Sequence, residues 1–252
     1  MMRCFGLRKS FVYSLACSLL LMLSSHAWAA QAIVENKQSA YSIVIPVDAP
    51  KYVEDAAKEM QRCIAMATGV MLPLIQDDTG LRERVISVGA TINADEAGFN
   101  PNELAYEQFR IVTREGNLYI FGRDIPEDQF TSQGGFSKGT AYGVFEYLEK
   151  YLGVRWLMPG DIGRDVPATD VIAWQEIDHS GKPFMENRRL PYTSVAGVSK
   201  PAIGQWHARQ RMGYSVRIDH RHNWAQTVPA SLHAQHPDWF PMINGERPAP
   251  QG

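Results

Sequence analysis

Cysteine is almost missing from this sequence. Three occur in 252 residues, and two of them, Cys4 and Cys17, fall inside an apolar leader. Once the leader is removed only Cys63 remains, so no intrachain disulfide can form and the fold must rest on core packing. A lone cysteine on the apolar side of a helix reads as a small core residue rather than a nucleophile. No CxxC pair and no helical HExxH occurs, which removes two common zinc-site spacings. The Gly-Lys-Ser/Thr of a phosphate-binding loop is absent too, since at Ser137-Lys138-Gly139 the lysine precedes the glycine. An excess of positive charge is also lacking, with 25 basic residues against 27 acidic ones. Nucleic-acid binding leans on a basic face and is not expected. There is no internal repeat and no low-complexity segment.

The leader itself carries an export pattern. Arg3, Arg8 and Lys9 precede a mostly apolar run from Phe11 to Leu23, and Ala27-Trp28-Ala29 offers small residues for cleavage. The run is shorter than the about 20 residues of a membrane span. A lipid anchor through Cys17 is the weaker reading, because Ser14 stands where a lipobox wants leucine and the apolar run continues past the cysteine. Residues 1–29 are therefore expected to be a signal peptide. The processed chain is expected in the periplasm or outside the cell, with no membrane attachment after cleavage. Its charge is 22 minus 27, or −5, because the leader holds three basic residues and no acidic ones.

The stretch around which the rest is organised runs from Gly139 to Gly160. Ala141, Val144, Phe145, Leu148, Tyr151 and Leu152 follow the i, i+3, i+4, i+7 spacing of one helix face. Thr140 is the expected N-cap and Gly153 the expected stop. Val154 to Leu157 then reads as a short buried strand closed by Pro159-Gly160. Upstream, Tyr41 to Val47 is a β-branched strand, and Pro50 opens a helix to about Thr68. That helix has Val53, Ala56, Ala57, Met60, Ile64 and Ala67 on one face. Val70–Ile75 and Arg84–Val88 are predicted strands, and 107–113 with 117–122 a hairpin around Glu115-Gly116-Asn117. The predicted fold class is α/β, with an α+β-like order: a mixed sheet covered by two helices over residues 31–180. The polar break at His179 to Pro183 is the expected boundary. Asp124 and Asp161 read as loop caps, and the glycines at 134, 135 and 139 as turn formers rather than an anion cradle.

From Pro183 the composition changes. Five of the seven histidines lie there, with Trp206, Trp224 and Trp239, and long apolar periodicity disappears. Short helices are expected at 205–212 and 231–235, and a strand at Trp239–Ile243 before an Asn244-Gly245 turn. Some 70 residues of this kind would be marginal alone. His220 and His222 would share one face of a strand and chelate a metal with His207 or Asp219, but a zinc site needs three or four ligands, and spacing fixes two. Neither a metal nor a cofactor is expected.

GTAYGVFEYLEKYLGVRW followed by PG resembles the N-terminal domain of bacterial α-glucuronidase-like and β-hexosaminidase-like glycoside hydrolases. HRHNWAQTVP and HPDWFPMINGERP resemble segments near the first strand of the catalytic barrel in the same proteins. The resemblance runs from about residue 42 to the end. It implies that residues 183–252 are the first part of an incomplete (β/α)8 barrel, a fold needing about 250 residues. It also implies an oligosaccharide or glycoside substrate, with Arg188 and Arg189 at the end of the first barrel strand as candidates to grip a sugar carboxylate. Tyr192 and Trp224 are candidates to stack on a sugar face, and His220 and His222 to bond its hydroxyls. Each has a plainer alternative: an arginine paired with an acid at the domain interface, an aromatic in the core, or a solvated loop histidine. Glycoside hydrolysis commonly uses two carboxyl groups, and no catalytic residue is assigned here. Glu186 reads as mid-strand, Asp219 and Asp238 as loop acids and Glu246 as a turn residue. The carboxyl pair is expected outside this chain. A non-catalytic carbohydrate-binding or interaction module is the competing class, and a metal-dependent hydrolase using the tail histidines a third.

Overall fold

The structure, a computed structural model, describes residues 32–78, 80–190, 194–218 and 224–249. In chain order the first layer comprises β1 (Ser42–Ile45), α1 (Lys51–Thr68), β2 (Leu74–Gln76), β3 (Val85–Val88), α2 (Ile92–Glu96), β4 (Phe109–Arg114), β5 (Asn117–Gly122) and α3 (Gly139–Tyr151). Then follow β6 (Arg155–Trp156), β7 (Arg164–Asp165), β8 (Asp178–Gly181), β9 (Asn187–Arg188), α4 (Lys200–Arg209) and β10 (Gly213–Tyr214). The main sheet has six strands in the order β2-β1-β3-β5-β4-β8. β2, β1, β3 and β5 run parallel, while β4 is antiparallel to both β5 and β8. This is the mixed α/β layer read from the sequence.

Alternation along the strands explains how the sheet is covered. Leu118 and Ile120 of β5 point into the large core with Ile43, Ile86 and Ile111, beneath α1 and α3. Tyr119 and Phe121 point the other way, into a smaller cluster with Phe99 and Ala94 under α2. The apolar face of α1 is buried as its spacing demands, and Cys63 is buried with it. Gly69 ends the helix at φ 76°, its N–H bonded to Ala65 O at 2.8 Å.

The organising helix departs from expectation at its start. It begins at Gly139, and Thr140 is inside it rather than at the cap. Thr140 Oγ1 instead accepts the buried N–H of Gly122 at 3.0 Å, and the Thr140 N–H donates to Asp124 Oδ1 at 3.0 Å. A Cβ at Gly139 would lie 2.3 Å from Gln108 O and 2.6 Å from Arg123 N. Only a residue without one lets the helix start against the exit of β5, so the capping acceptor comes from that exit.

Two further segments differ. The polar break at 179–181 is β8, an edge strand held by Arg110 to Asp178 at 2.5 Å and Gln108 to Ser180 at 3.1 Å. Its polar residues suit an edge that carries no core. Trp239–Ile243 is not a strand: Pro237–Trp239 forms a 3-10 turn, and Ile243 bridges only to Glu246 across Asn244 and Gly245. Pro237 and Pro241 supply no N–H to a ladder. In the tail, β9 pairs antiparallel with β10, and loop 131–136 bonds to β10 on its other side, with Phe136 N to Tyr214 O at 2.7 Å. The helix expected at 205–212 starts earlier, at Lys200, capped by Ser199.

Candidate functional site

The junction between the α/β layer and the tail holds the two described candidates, Arg188 and Arg189, and three arginines of the tail build it. Arg188, on β9, reaches back to Glu107, just before β4. Its Nη1 and Nη2 lie 3.1 and 2.5 Å from the two carboxylate oxygens. Only 10% of the Arg188 side chain and 1% of the Glu107 side chain is exposed. Glu107 is held at φ 62°, with its N–H on Ser137 Oγ at 2.6 Å and Tyr142 OH 3.3 Å from Oε1. Burial, then the Glu107 charge, pushes the Tyr142 phenol well above its ordinary range, which keeps it an O–H donor. The bidentate fork proposed for a sugar carboxylate is therefore engaged by the chain's own carboxylate.

Arg209, on α4, pairs with Glu59 of α1 at 3.0 Å. Glu59 also accepts from Arg164 Nε at 3.1 Å and Trp156 Nε1 at 3.3 Å, so both of its oxygens are committed. Arg164 extends the chain of charges to Asp161 at 2.7 Å, and Asp161 meets Arg62 at 3.2 Å. Asp161 is thus an ion-pair bridge between α1 and the β6–β7 turn. The third arginine, Arg211, bonds Glu146 at 3.0 Å and Glu149 at 2.5 Å, both on α3.

Arg189 behaves differently from its neighbour. It is exposed, and its guanidinium lies 5.2 Å over the ring of Tyr214. Tyr214 packs edge-on against Phe136 at 5.3 Å, and Phe136 meets Phe130 at 5.3 Å. Phe130 is 61% exposed, so the row ends as an open aromatic surface. A planar cation over a ladder of rings is chemistry that suits a sugar ring carrying a carboxylate. Tyr192, His220, His222 and the side chain of Trp224 lie outside the described residues, as does Asp219. Reasoning from sequence missed Glu107, Glu59 and the aromatic row, because their partners lie far along the chain and no local pattern marks them.

Beside this junction a cleft of about 670 Å³ opens between α1, α3 and α4. Tyr52, Lys138, Tyr142, His207, Arg209 and Met212 are on its walls. Lys138 Nζ lies 5.2 Å over the Tyr52 ring, and among the described residues it has no carboxylate partner. His207 Nε2 is buried without a hydrogen-bond partner among the described residues. The N-terminus of α3, weighed as an anion cradle, is filled by Asp124. Burial pushes that carboxyl up to about 7 against the hydrogen bonds of Thr140. Among the described residues no group of three or more His, Cys, Asp or Glu is placed to hold a metal. The tail acids Glu186, Asp238 and Glu246 are all exposed and stand on separate segments, Glu186 facing Lys182 at 3.7 Å.

No protein-family model matches the chain, and no curated protein matches it either. Among solved structures it is similar to BtGH115A, a family GH115 4-O-methyl-α-glucuronidase with specificity for decorated arabinogalactans. Identity is 17% and the TM-score 0.49, over 69% of this chain and 24% of that one. The chain thus spans about a quarter of the length of the glycoside hydrolase it is similar to.

Proposed function

We propose that this chain is the N-terminal portion of an exported glycoside-hydrolase-like protein, of the α-glucuronidase kind, that acts on or binds carbohydrate. In this reading residues 1–29 direct export to the periplasm or beyond. Residues 31–180 form the α/β domain, and residues 183–252 begin a (β/α)8 barrel whose catalytic carboxyl groups lie outside the present chain. One observation carries it. A short strand–helix–strand unit, β9–α4–β10, is latched to a finished α/β layer by three arginine–glutamate contacts, Arg188–Glu107, Arg209–Glu59 and Arg211–Glu146. The two strands pair antiparallel, whereas those of a (β/α)8 barrel are parallel, so the latch supports a second domain begun here and not by itself its barrel topology. The exposed Arg189 over Tyr214 is the group left to meet an acidic sugar.

The intact mass of the native exported protein tests this. A mass well above that of residues 30–252 is expected, and downstream carboxylates would then be sought. A mass matching residues 30–252 would overturn it. The second reading, a non-catalytic carbohydrate-binding module, is favoured by the open Phe130–Phe136–Tyr214 row. It requires binding of an acidic oligosaccharide that Arg189→Ala weakens at this length of chain.

A further inference from the structure

The cleft between α1, α3 and α4 is bordered by neither Arg189 nor Tyr214, so it is separate from the open surface of the tail. At about 670 Å³ it has the size of a small-molecule site. Much of its buried wall is carbon, since Ala56, Ala141, Tyr142 and Phe145 are each 5% exposed or less. The Tyr142 O–H is turned to Glu107, and the Tyr52 O–H donates to the Ile125 carbonyl at 2.9 Å, with Ser137 O at 3.2 Å. Both hydroxyls therefore serve the chain itself. A ligand rich in hydroxyls finds few partners on such a wall, whereas an aromatic body finds rings and the Met212 thioether.

The charges around the cleft leave one cation over. Of the acids that border it, Glu59 is held by Arg164 and Arg209, Asp55 is held by Lys51, and Glu127 stands exposed to water. Lys138 is the opposite case. It is half-buried, its ammonium lies 5.2 Å over the Tyr52 ring, and no carboxylate among the described residues meets it. On the α4 wall His207 Nε2 is buried without a hydrogen-bond partner among the described residues. A cation beside apolar surface attracts an anion more strongly than one in bulk water. A buried polar group left unmet favours whatever satisfies it.

We infer that this cleft binds an aromatic monocarboxylate, with its ring against Tyr142, Phe145 and Met212 and its carboxylate on Lys138. One ammonium is a single point charge, which matches a monoanion better than a phosphate dianion. Because α1 and α3 belong to the α/β layer and α4 to the tail, the bound acid touches both and holds the tail in its seat. The site is independent of any sugar substrate.

Calorimetric titration of the whole exported chain with 2-naphthoate, 2-naphthylmethanol and glucuronate tests the inference. Naphthoate is expected to bind about ten times tighter than either of the others, or more. Lys138→Met keeps the apolar stem and removes the charge. It should weaken naphthoate about tenfold and leave the alcohol unchanged, while Lys138→Arg should stay within about threefold of the parent. With naphthoate at about ten times its Kd, protease cleavage between residues 182 and 212 should slow about tenfold, because the unseated tail that is cut lacks a complete site. The inference is overturned if naphthoate does not bind, if the alcohol or glucuronate binds as tightly, or if Lys138→Met leaves the affinity unchanged. Binding without slower cleavage overturns it as well. So does loss of naphthoate binding on Arg189→Ala, since the acid would then sit on the exposed aromatic row; that result would leave the proposed function standing.

Discussion

Replacing Arg188 with alanine puts the latch between the tail and the α/β layer to the test. The perturbation is sharp because the partner cannot escape: Glu107 is 1% exposed and its backbone is fixed at φ 62° by the Ser137 contact. Removing one member of a buried ion pair strands the other charge, at a cost of about 3–5 kcal/mol. Tyr142 still donates to Oε1, and the Arg211 carbonyl freed by loss of Nε lies near the surface, so the lower end, about 3 kcal/mol, is expected. For a domain stable by about 5–15 kcal/mol this is a large fraction. With a urea m-value of about 2 kcal/mol/M, the unfolding midpoint should fall by about 1.5 M. The penalty falls first on the seating of β9 and β10, so protease cleavage between residues 182 and 212 should accelerate before global unfolding. Removing both charges, with Arg188→Met and Glu107→Gln, should recover most of the loss, since neither partner is then stranded. A midpoint shift under about 0.5 M would refute the reasoning, as would a double variant no better than the single one.

Three other outcomes follow from the geometry. Asp124 keeps its proton in the folded chain up to about 7, whereas an unfolded aspartate loses it near pH ~3.9. The folded state therefore binds more protons in that window, and this group's contribution falls as pH rises through it. Asp124→Asn should gain stability relative to the parent between pH 5 and 8 in urea titrations, and a constant difference would count against it. Burial, then the Glu59 charge, pushes the Cys63 thiol up to about 12, so a disulfide reagent should titrate it only after denaturant is added. Gly139→Ala drives a methyl into the Gln108 carbonyl and the Arg123 amide, and thermal melting should report a loss of about 3 kcal/mol, the upper end for overpacking.

The parts of this fold that were legible in the sequence are those whose cause is local. The α1 face from Val53 to Ala67, the α3 face from Ala141 to Leu148 and the turn at Glu115-Gly116 each carry their reason within one helix length or one hairpin. The strand β8 carries no such reason. Asp178 and Ser180 are exposed and His179 only half-buried, so nothing in the segment alternates strongly enough to announce a strand. It exists because β4 offers an open edge. The short α2 went unread because five residues give no periodicity, although Thr91 is an ordinary cap for it, with Ala94 N to Oγ1 at 3.1 Å. The acceptor for the start of α3 was invisible because Asp124 lies 16 residues upstream of the amide that it caps.

The tail shows the same division in energetic terms. Its scarcity of core residues was plain, and among its described residues only Ile203 and Phe240 are buried hydrophobics. So little apolar area cannot offset the ordering of the segment alone. What seats it on the α/β layer is charge, through Arg188, Arg209 and Arg211 on glutamates of that layer, beside Trp206 and Ala208 packed against the main core. Those glutamates stand 81, 150 and 65 positions away, so no window of sequence joins them. Ion pairs of this kind add little net stability over a packed apolar joint, but they strongly penalise any other seating, because each misplacement strands a buried charge. The junction is thus specified more than it is strengthened. Of the adjacent pair Arg188 and Arg189, that logic assigns the first to architecture, while the second stays exposed over Tyr214 and takes no part in the latch.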